Sequence, residues 1–489
     1  MQTAVTSTNT GKVSHPRGLY VLFFAELWER FGFYSVQALL VLFLVKHYAY
    51  TDDQAYAFFG AYSALIYTSP VIGGYLADKL LGFRNAILLG AVLYIFGYLG
   101  LASLRHSLFY WSLGLLIAGN GFFKSSVSTL LGALYEPDDI RRDSGFTIFY
   151  MGINAGIFLS PILCTYAAEK YGWGYGFGLA AIGMIIGVIN CLAKFKTLNN
   201  HGLPPKTAAN HPLMYKFIFY AGLILCIWGC SQLLGYHQIV NKGMIVFGIA
   251  MAIGLIFIAL KEQNSKRNKL FALLILMGVS ILFWTLYFQA YLSVTLFIER
   301  CVDRHFFGWE APTGMLSSAI GLFNIALAPL FALIWLRYAR ARWTPSNPMK
   351  FALGMVFISF TFLIIALGCA ASGAGKVSVI WILLGYLLTS CGELCLSPIG
   401  LSLVTALAPS NMVGMIMGIW FMTLAAGYAI AGHIAQFTSI PNTVTDFITI
   451  KQLYATVFSQ FGYTGLAIGI LLIVLTPPMR RLMGELKRS

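Results

Sequence analysis

Residues 18–46 read GLYVLFFAELWERFGFYSVQALLVLFLVK. At a rise of 1.5 Å per residue this run is long enough, as a helix, to cross the ~30 Å hydrocarbon core of a bilayer. Yet it contains Glu26, Glu29 and Arg30. Glu26 and Glu29 are spaced i,i+3, and Glu26 and Arg30 i,i+4, so the three charges share one helical face. A charge at bilayer depth costs at least ~2.5–3.5 kcal/mol on insertion scales, so that face must meet protein or a water-filled hollow. The stretch therefore predicts a helix inside a membrane bundle.

The rest of the chain has the same character. Of its 489 residues 58% are apolar and 10% charged, whereas a soluble chain carries roughly 25% charged residues. That balance excludes soluble, secreted, collagenous and disordered classes. The net charge of +15 comes from Lys and Arg in short loops between apolar stretches, which points to membrane topology and to no nucleic-acid partner. The cysteines at 226/230 and 391/395 have i,i+4 spacing, unlike the C-x-x-C of a zinc site, so neither a metal nor a cofactor is expected. The first 17 residues are polar and lack the apolar core of a signal peptide.

A ruler of about 20 apolar residues places spans at 18–46, 55–79, 85–104, 108–135, 144–168, 173–195, 213–235, 241–260, 269–299, 312–338, 350–371, 377–407, 412–437 and 453–476. These fourteen spans put both termini on one side. That side collects 22 of the 32 Lys and Arg residues and the other side 8, so the termini are expected in the cytoplasm of a cell (inner) membrane protein. The remaining two, Arg30 and Lys124, lie within spans. The expected order is a cytoplasmic tail (1–17), a six-helix bundle (18–195) and a polar linker with Pro204-Pro205 (196–212). Two inserted helices (213–260), a second six-helix bundle (261–476) and a cytoplasmic tail (477–489) follow. The inserted pair carries no buried charge and reads as peripheral.

Five ionisable residues fall at bilayer depth: Glu26, Glu29, Arg30, Lys124 and Glu393. The first four balance as two acids and two bases. Protonating one glutamate leaves a positive pole for an anionic group, and Glu393 offers a negative pole for an amine. A ligand with a carboxylate at one end and an ammonium at the other fits. An extended chain covers about 3.3–3.6 Å per residue, so a dipeptide or tripeptide could bridge opposed helices. Of the eight histidines only His433 approaches the interior of a span, which leaves the carboxylates as the better proton carriers.

Glu26-Leu-Trp-Glu29-Arg30-Phe31-Gly-Phe-Tyr34 resembles the ExxERFxxY motif of the proton-coupled oligopeptide transporter family. Gly74-Tyr-Leu-Ala-Asp78-Lys-Leu-Leu-Gly82-Phe-Arg84 is similar to the helix 2–3 signature of the wider major facilitator superfamily. Phe149-Tyr150-Met-Gly-Ile-Asn154-Ala-Gly156, Gly392-Glu393-Leu-Cys-Leu-Ser397-Pro398 and Gly418-Ile-Trp420-Phe421 resemble the family's FYxxINxG, GELxxSP and GxWF stretches, in the expected order.

The resemblance implies an all-α major facilitator fold, two six-helix bundles plus two extra helices, and alternating access around a midplane site. It implies a proton-coupling cluster of Glu26, Glu29, Arg30 and Lys124, with Arg30 and Lys124 also taking the peptide carboxylate. Asn154 and Glu393 would hold the amino end. Tyr34, Tyr67, Tyr150, Gln289, Ser397 and Trp420 would line the cavity, and Asp78 and Arg84 would serve gating. The expected partners are di- and tripeptides, protons and the bilayer, with the chain a monomer.

Three positions depart from the family pattern. Family members often carry an arginine where this chain has Gln37. The seventh core helix usually reads FWxxFEQ, and here it is Phe283-Trp284-Thr-Leu-Tyr287-Phe288-Gln289. An asparagine usual in the eighth is Ile320, with Asn324 one turn on as a substitute. These departures keep open a facilitator-type carrier for amino acids, peptide-like drugs or nitrate. An intramembrane enzyme or an ATP-driven pump would need motifs such as H-E-x-x-H, G-x-S-x-G or a phosphate loop, which the sequence lacks.

Overall fold

The computed structural model describes residues 14–136, 139, 141–198, 201–205, 213–306, 308–340, 345–408, 412–441 and 443–484. Most of the expected N-terminal tail, half of the linker and the end of the C-terminal tail lie outside the described residues. Helices α1 (Arg17–Lys46), α2 (Asp52–Leu76), α3 (Phe83–Ala102), α4 (His106–Ala133), α5 (Arg142–Tyr171) and α6 (Trp173–Lys194) pack as the first bundle. The inserted pair is α7 (Leu213–Gly235) and α8 (His237–Lys261). The second bundle holds α9 (Asn264–Tyr287), α10 (Ser293–Cys301), α11 (Ser318–Arg340), α12 (Asn347–Ala371), α13 (Val379–Leu407), α14 (Val413–Ala435) and α15 (Phe447–Met483). Among the described residues, thirteen helical stretches are long and apolar enough to cross a membrane, α9 and α10 counting as one. The chain is a multi-pass membrane protein. Helix α4 is less apolar because it carries Asn120, Lys124 and a run of Ser and Thr, and it completes the fourteen.

Small residues bring the helices close enough for the inward face of α1 to be sealed from lipid. A Cβ on Gly156 of α5 would lie 2.7 Å from the Cβ of Arg30 and 2.8 Å from the Leu27 carbonyl. One on Gly183 of α6 would meet the Trp28 ring at 2.8 Å. Only glycine permits this approach, as is common where membrane helices pack.

Two elements differ from expectation. The expected helix 269–299 is broken: α9 ends at Tyr287, a 3₁₀ turn covers Phe288–Tyr291, and α10 restarts at Ser293. Side chains around the break bond backbone carbonyls, both at the break and on the neighbouring α14. Gln289 Nε2 donates to the carbonyls of Ala431 (3.0 Å) and Thr285 (3.3 Å), and Thr295 Oγ1 donates to the Ala290 carbonyl (3.0 Å). This internal satisfaction is what tolerates irregular backbone at bilayer depth. Helix α15 continues through Pro477 and Pro478 to Met483, so the expected tail from 477 begins as helix. The inserted pair lies on the outside yet touches both bundles: α7 packs on α4, and α8 packs on α2, α9 and α14. Asn241 of α8, fully buried, donates to the Ala57 carbonyl of α2 at 2.8 Å.

The bundles meet at the end remote from the chain termini. There Lys46 pairs with Glu299 (2.5 Å) and Arg300 forks onto Asp52 (2.6 and 2.7 Å). The Ile440 amide also donates to Asp52 (3.1 Å), and the Thr313 amide donates to Glu169 (3.0 Å). Gly60 of α2 and Gly432 of α14 approach backbone to backbone just inside this layer. Arg300→Ala should leave the buried Asp52 carboxylate short of a cation and cost about 3 kcal/mol. The expected readout is a lowered melting temperature in detergent. Arg300→Lys should recover only part, since a point charge replaces a two-pronged donor.

Candidate functional site

The face of α1 that the sequence marks as forbidden to lipid is buried in the first bundle. Glu26 and Glu29 are 0% exposed and Arg30 4%. The Arg30 guanidinium lies flat on the Glu29 carboxylate: Nε donates to Oε2, and a terminal nitrogen donates to Oε1 at 2.5 Å. The Tyr94 hydroxyl of α3 reaches the same Oε1 at 2.6 Å. Both Glu29 oxygens are therefore engaged. Glu26 is different. Its Oε1 accepts from Lys124 Nζ at 3.0 Å and lies 3.5 Å from Arg30 Nε. Its Oε2 is buried and has no hydrogen-bond partner among the described residues. The Lys124 side chain is 34% exposed, so this cation stands at the edge of the cluster.

In the second bundle Glu393 on α13 accepts from Asn324 Nδ2 of α11 at 2.9 Å, with Tyr287 beside it. Tyr34 and Tyr67 lie close enough to feel both Arg30 and Glu393, and Tyr150 and Tyr291 also face Glu393. Four tyrosines thus stand about the cationic and anionic poles. Ile320, at the departed asparagine position, contributes only its backbone carbonyl, which accepts from Ser390 (3.2 Å). Asn324, one turn on, is the residue that reaches Glu393.

Gln37 and Phe288 come together on one residue that sequence reading did not single out. The Tyr428 ring stacks on Phe288 with centroids 3.4 Å apart, and its hydroxyl donates to Gln37 Oε1 at 3.4 Å. Tyr67 packs on the same ring at 5.1 Å.

Other expected site residues scatter. Asn154 is 3% exposed; its Nδ2 donates to the Tyr150 carbonyl at 3.0 Å, and its Oδ1 lacks a partner among the described residues. Ser397 follows Glu393 by one turn and is half-buried. Gln289 does not line the hollow: it is fully buried, spends its amide on backbone carbonyls and accepts from Ser293 (2.6 Å). Trp420, 3% exposed, packs inside its bundle against Gly400 and Phe351. Asp78 and Arg84 lie at the end nearer the termini, far from the charged cluster. Asp78 pairs with Lys79 (3.1 Å), and Arg84 donates to the His201 carbonyl of the linker (2.7 Å).

Tyr94, Asn120, Tyr287, Tyr291 and Tyr428 escaped sequence reading. Asn120 carried a signal, as a polar residue inside a span one turn before Lys124. The four tyrosines carried none, being ordinary members of a set of 26.

A family model described as the POT family matches residues 84–453. Dipeptide and tripeptide permease B of Salmonella typhimurium (strain LT2) is 34% identical over 484 residues, covering 98% of both chains. Dipeptide and tripeptide permease A of Escherichia coli (strain K12) is 34% identical over 491 residues, covering 99% of this chain and 97% of the permease. A crystal structure of a peptide transporter in complex with alafosfalin superposes with a TM-score of 0.84 at 32% identity, covering 97% of each chain. One of a POT family transporter in complex with 5-aminolevulinic acid gives 0.82 at 30% identity, covering 96% of this chain and 98% of that one.

The cluster makes a stability prediction independent of any ligand. Lys124→Ala should leave Glu26 facing Arg30 alone and cost about 1–3 kcal/mol. Adding Glu26→Gln should restore part of the loss, because no unpaired buried charge remains. Thermal unfolding of the two variants in detergent would read this; equal melting points for the single and double variants would speak against the pairing.

Proposed function

Because this chain belongs to the POT family, we propose that it is a proton-coupled symporter that brings di- and tripeptides inward by alternating access, a carrier and not an enzyme. The observation that carries the reading is the bare Oε2 of Glu26 beside Lys124. A proton added there displaces no hydrogen bond, and it removes the charge that holds Lys124. The cluster then has a net positive charge facing the hollow.

A peptide carboxylate entering on Lys124 and Arg30 restores neutrality, and the ammonium end settles on Glu393, whose position Asn324 holds. Proton and peptide therefore stabilise one another, which is the thermodynamic content of coupling. When Glu26 releases its proton on the far side, it reclaims Lys124 and the carboxylate loses its partner. The two bundles, 18–195 and 261–476, would rock about this site. The Lys46–Glu299 and Asp52–Arg300 pairs close the outer entrance, and Asp78 and Arg84 with the linker 196–212 govern the inner one. On this reading both termini face the cytoplasm, and the chain works as a monomer in the cell (inner) membrane.

The test is competition in proteoliposomes, with labelled dialanine against dipeptides, tripeptides, free amino acids and nitrate, with and without a proton gradient. Uptake should rise as the pH on the outside falls, because protonation of a buried carboxylate opens the cationic pole. N-acetylated dipeptides should compete at least about tenfold more weakly, since they offer Glu393 no ammonium. Lys124→Ala should abolish gradient-driven uptake. A flat pH profile counts against symport, and nitrate or free amino acids competing as well as peptides would favour the other facilitator reading.

A further inference from the structure

Pro70 lies inside α2. Having no N–H, it leaves the carbonyl of Ile66, four residues earlier, without its helical donor. In a membrane such a carbonyl must be satisfied from within the protein. The Asn120 amide of α4 does so at 2.6 Å, and Ser69 Oγ adds a bond of 2.9 Å. With its nitrogen committed to a carbonyl, the orientation of Asn120 is fixed and its Oδ1 must face the other way. There the Tyr94 hydroxyl lies 3.0 Å off. That hydroxyl is also 2.6 Å from Glu29 Oε1. One hydroxyl proton thus stands between two acceptors, an amide oxygen and a carboxylate oxygen.

We propose that Tyr94 and Asn120 are positioning residues that tie the Arg30–Glu29 pair to the break at Pro70, so that the pair and the bend of α2 change together. While Glu29 is ionised and in place, the hydroxyl proton turns to it, because hydrogen bonds to charged acceptors are roughly twice as strong as neutral ones. When Glu29 withdraws with Arg30, the same proton turns to Asn120 Oδ1. Only rotation about the phenol C–O bond is needed, and no proton changes owner. Donation into Oδ1 polarises the amide and strengthens its bond to Ile66, as in any hydrogen-bonded chain. Tyr67, the next residue, borders the hollow, so the bend of α2 sets where that ring stands.

The surroundings single out Tyr94. Besides Glu26 and Arg30 on its own helix, Glu29 faces Tyr62 and Tyr67 of α2 and Tyr94 and Tyr98 of α3. Among the described residues, Tyr94 alone of these tyrosines hydrogen-bonds it. Tyr94 is fully buried and its ring stacks on Tyr98 at 5.6 Å, so Tyr94→Phe removes the hydroxyl and keeps the packing.

This inference rests on the reading of the chain as a proton-driven peptide carrier, and two transport modes test it: dialanine uptake under a proton gradient, and dialanine counterflow without one. Tyr94→Phe should lower gradient-driven uptake about tenfold while counterflow stays within about twofold. Asn120→Leu, or Asn120→Ser should the leucine fail to fold, should do the same. The double variant should be no worse than either single one, since both cut one chain. Wild-type behaviour of Tyr94→Phe, a parallel loss of both modes, or single losses that multiply in the double variant would each overturn the proposal. A wild-type protein that moves no peptide in either mode would instead refute the transport reading. The linkage itself is then judged by melting temperatures of the same four proteins, non-additive if the chain exists and additive if it does not.

Discussion

Everything in the fold answers to one constraint: four charges, two of each sign, three on α1 and one on α4, held where lipid would surround them. Glu26, Glu29, Arg30 and Lys124 neutralise one another within a few ångströms, and none can leave that arrangement without leaving a buried charge unpaired. The constraint acts on the neighbours as well. Helix α1 must be wrapped by protein: Gly156 lets α5 approach it to backbone distance beside Arg30, and Gly183 of α6 admits the Trp28 ring from its other face. Helix α4 must present Lys124 to α1, and so it gives up apolar character and lies inside the bundle. What looks like packing is the enclosure of a charge cluster.

The asymmetry within the cluster turns enclosure into function. Glu29 is saturated by Arg30 and Tyr94, whereas Glu26 keeps one oxygen bare and shares its other with a half-exposed lysine. Two carboxylates one turn apart therefore differ in how many donors they meet.

Much of this was legible from sequence, for a physical reason. Hydrocarbon punishes charge so strongly that Glu26, Glu29, Arg30, Lys124 and Glu393 announce themselves, and the length of apolar runs follows from bilayer thickness. Asn324 could be inferred from spacing and does reach Glu393. What stayed hidden lacks such a penalty. A tyrosine at bilayer depth is equally at home in a core or a cavity, so Tyr94 and Tyr428 could not be told from the other aromatics. Gln289 and Trp420 matched a pattern yet turn into their own bundle, because the helix break at Phe288–Tyr291 rotates Gln289 onto the Ala431 carbonyl. A period counted along an unbroken helix misplaces whatever follows a break.

The break also explains how two departures from the family pattern coexist. Replacing one member of a buried ion pair leaves the other uncompensated, which typically costs 3–5 kcal/mol; replacing both by groups that pack is often neutral or stabilising. Gln37 and Phe288 sit on opposite bundles and meet at Tyr428, one by a hydrogen bond and the other by stacking. Neither carries a charge, so neither needs an ion from its partner. The inner layer of the closed end is therefore held by apolar and neutral polar contact, while charge is kept for the outer layer of Lys46, Glu299, Asp52 and Arg300. Among the described residues, that division separates the charged groups of the closed end from the cluster of Glu26, Glu29, Arg30 and Lys124 and from the carboxylate of Glu393, so on the proposed reading a proton reaching the cluster changes the charge that a ligand meets and leaves the inner aromatic contacts unaltered.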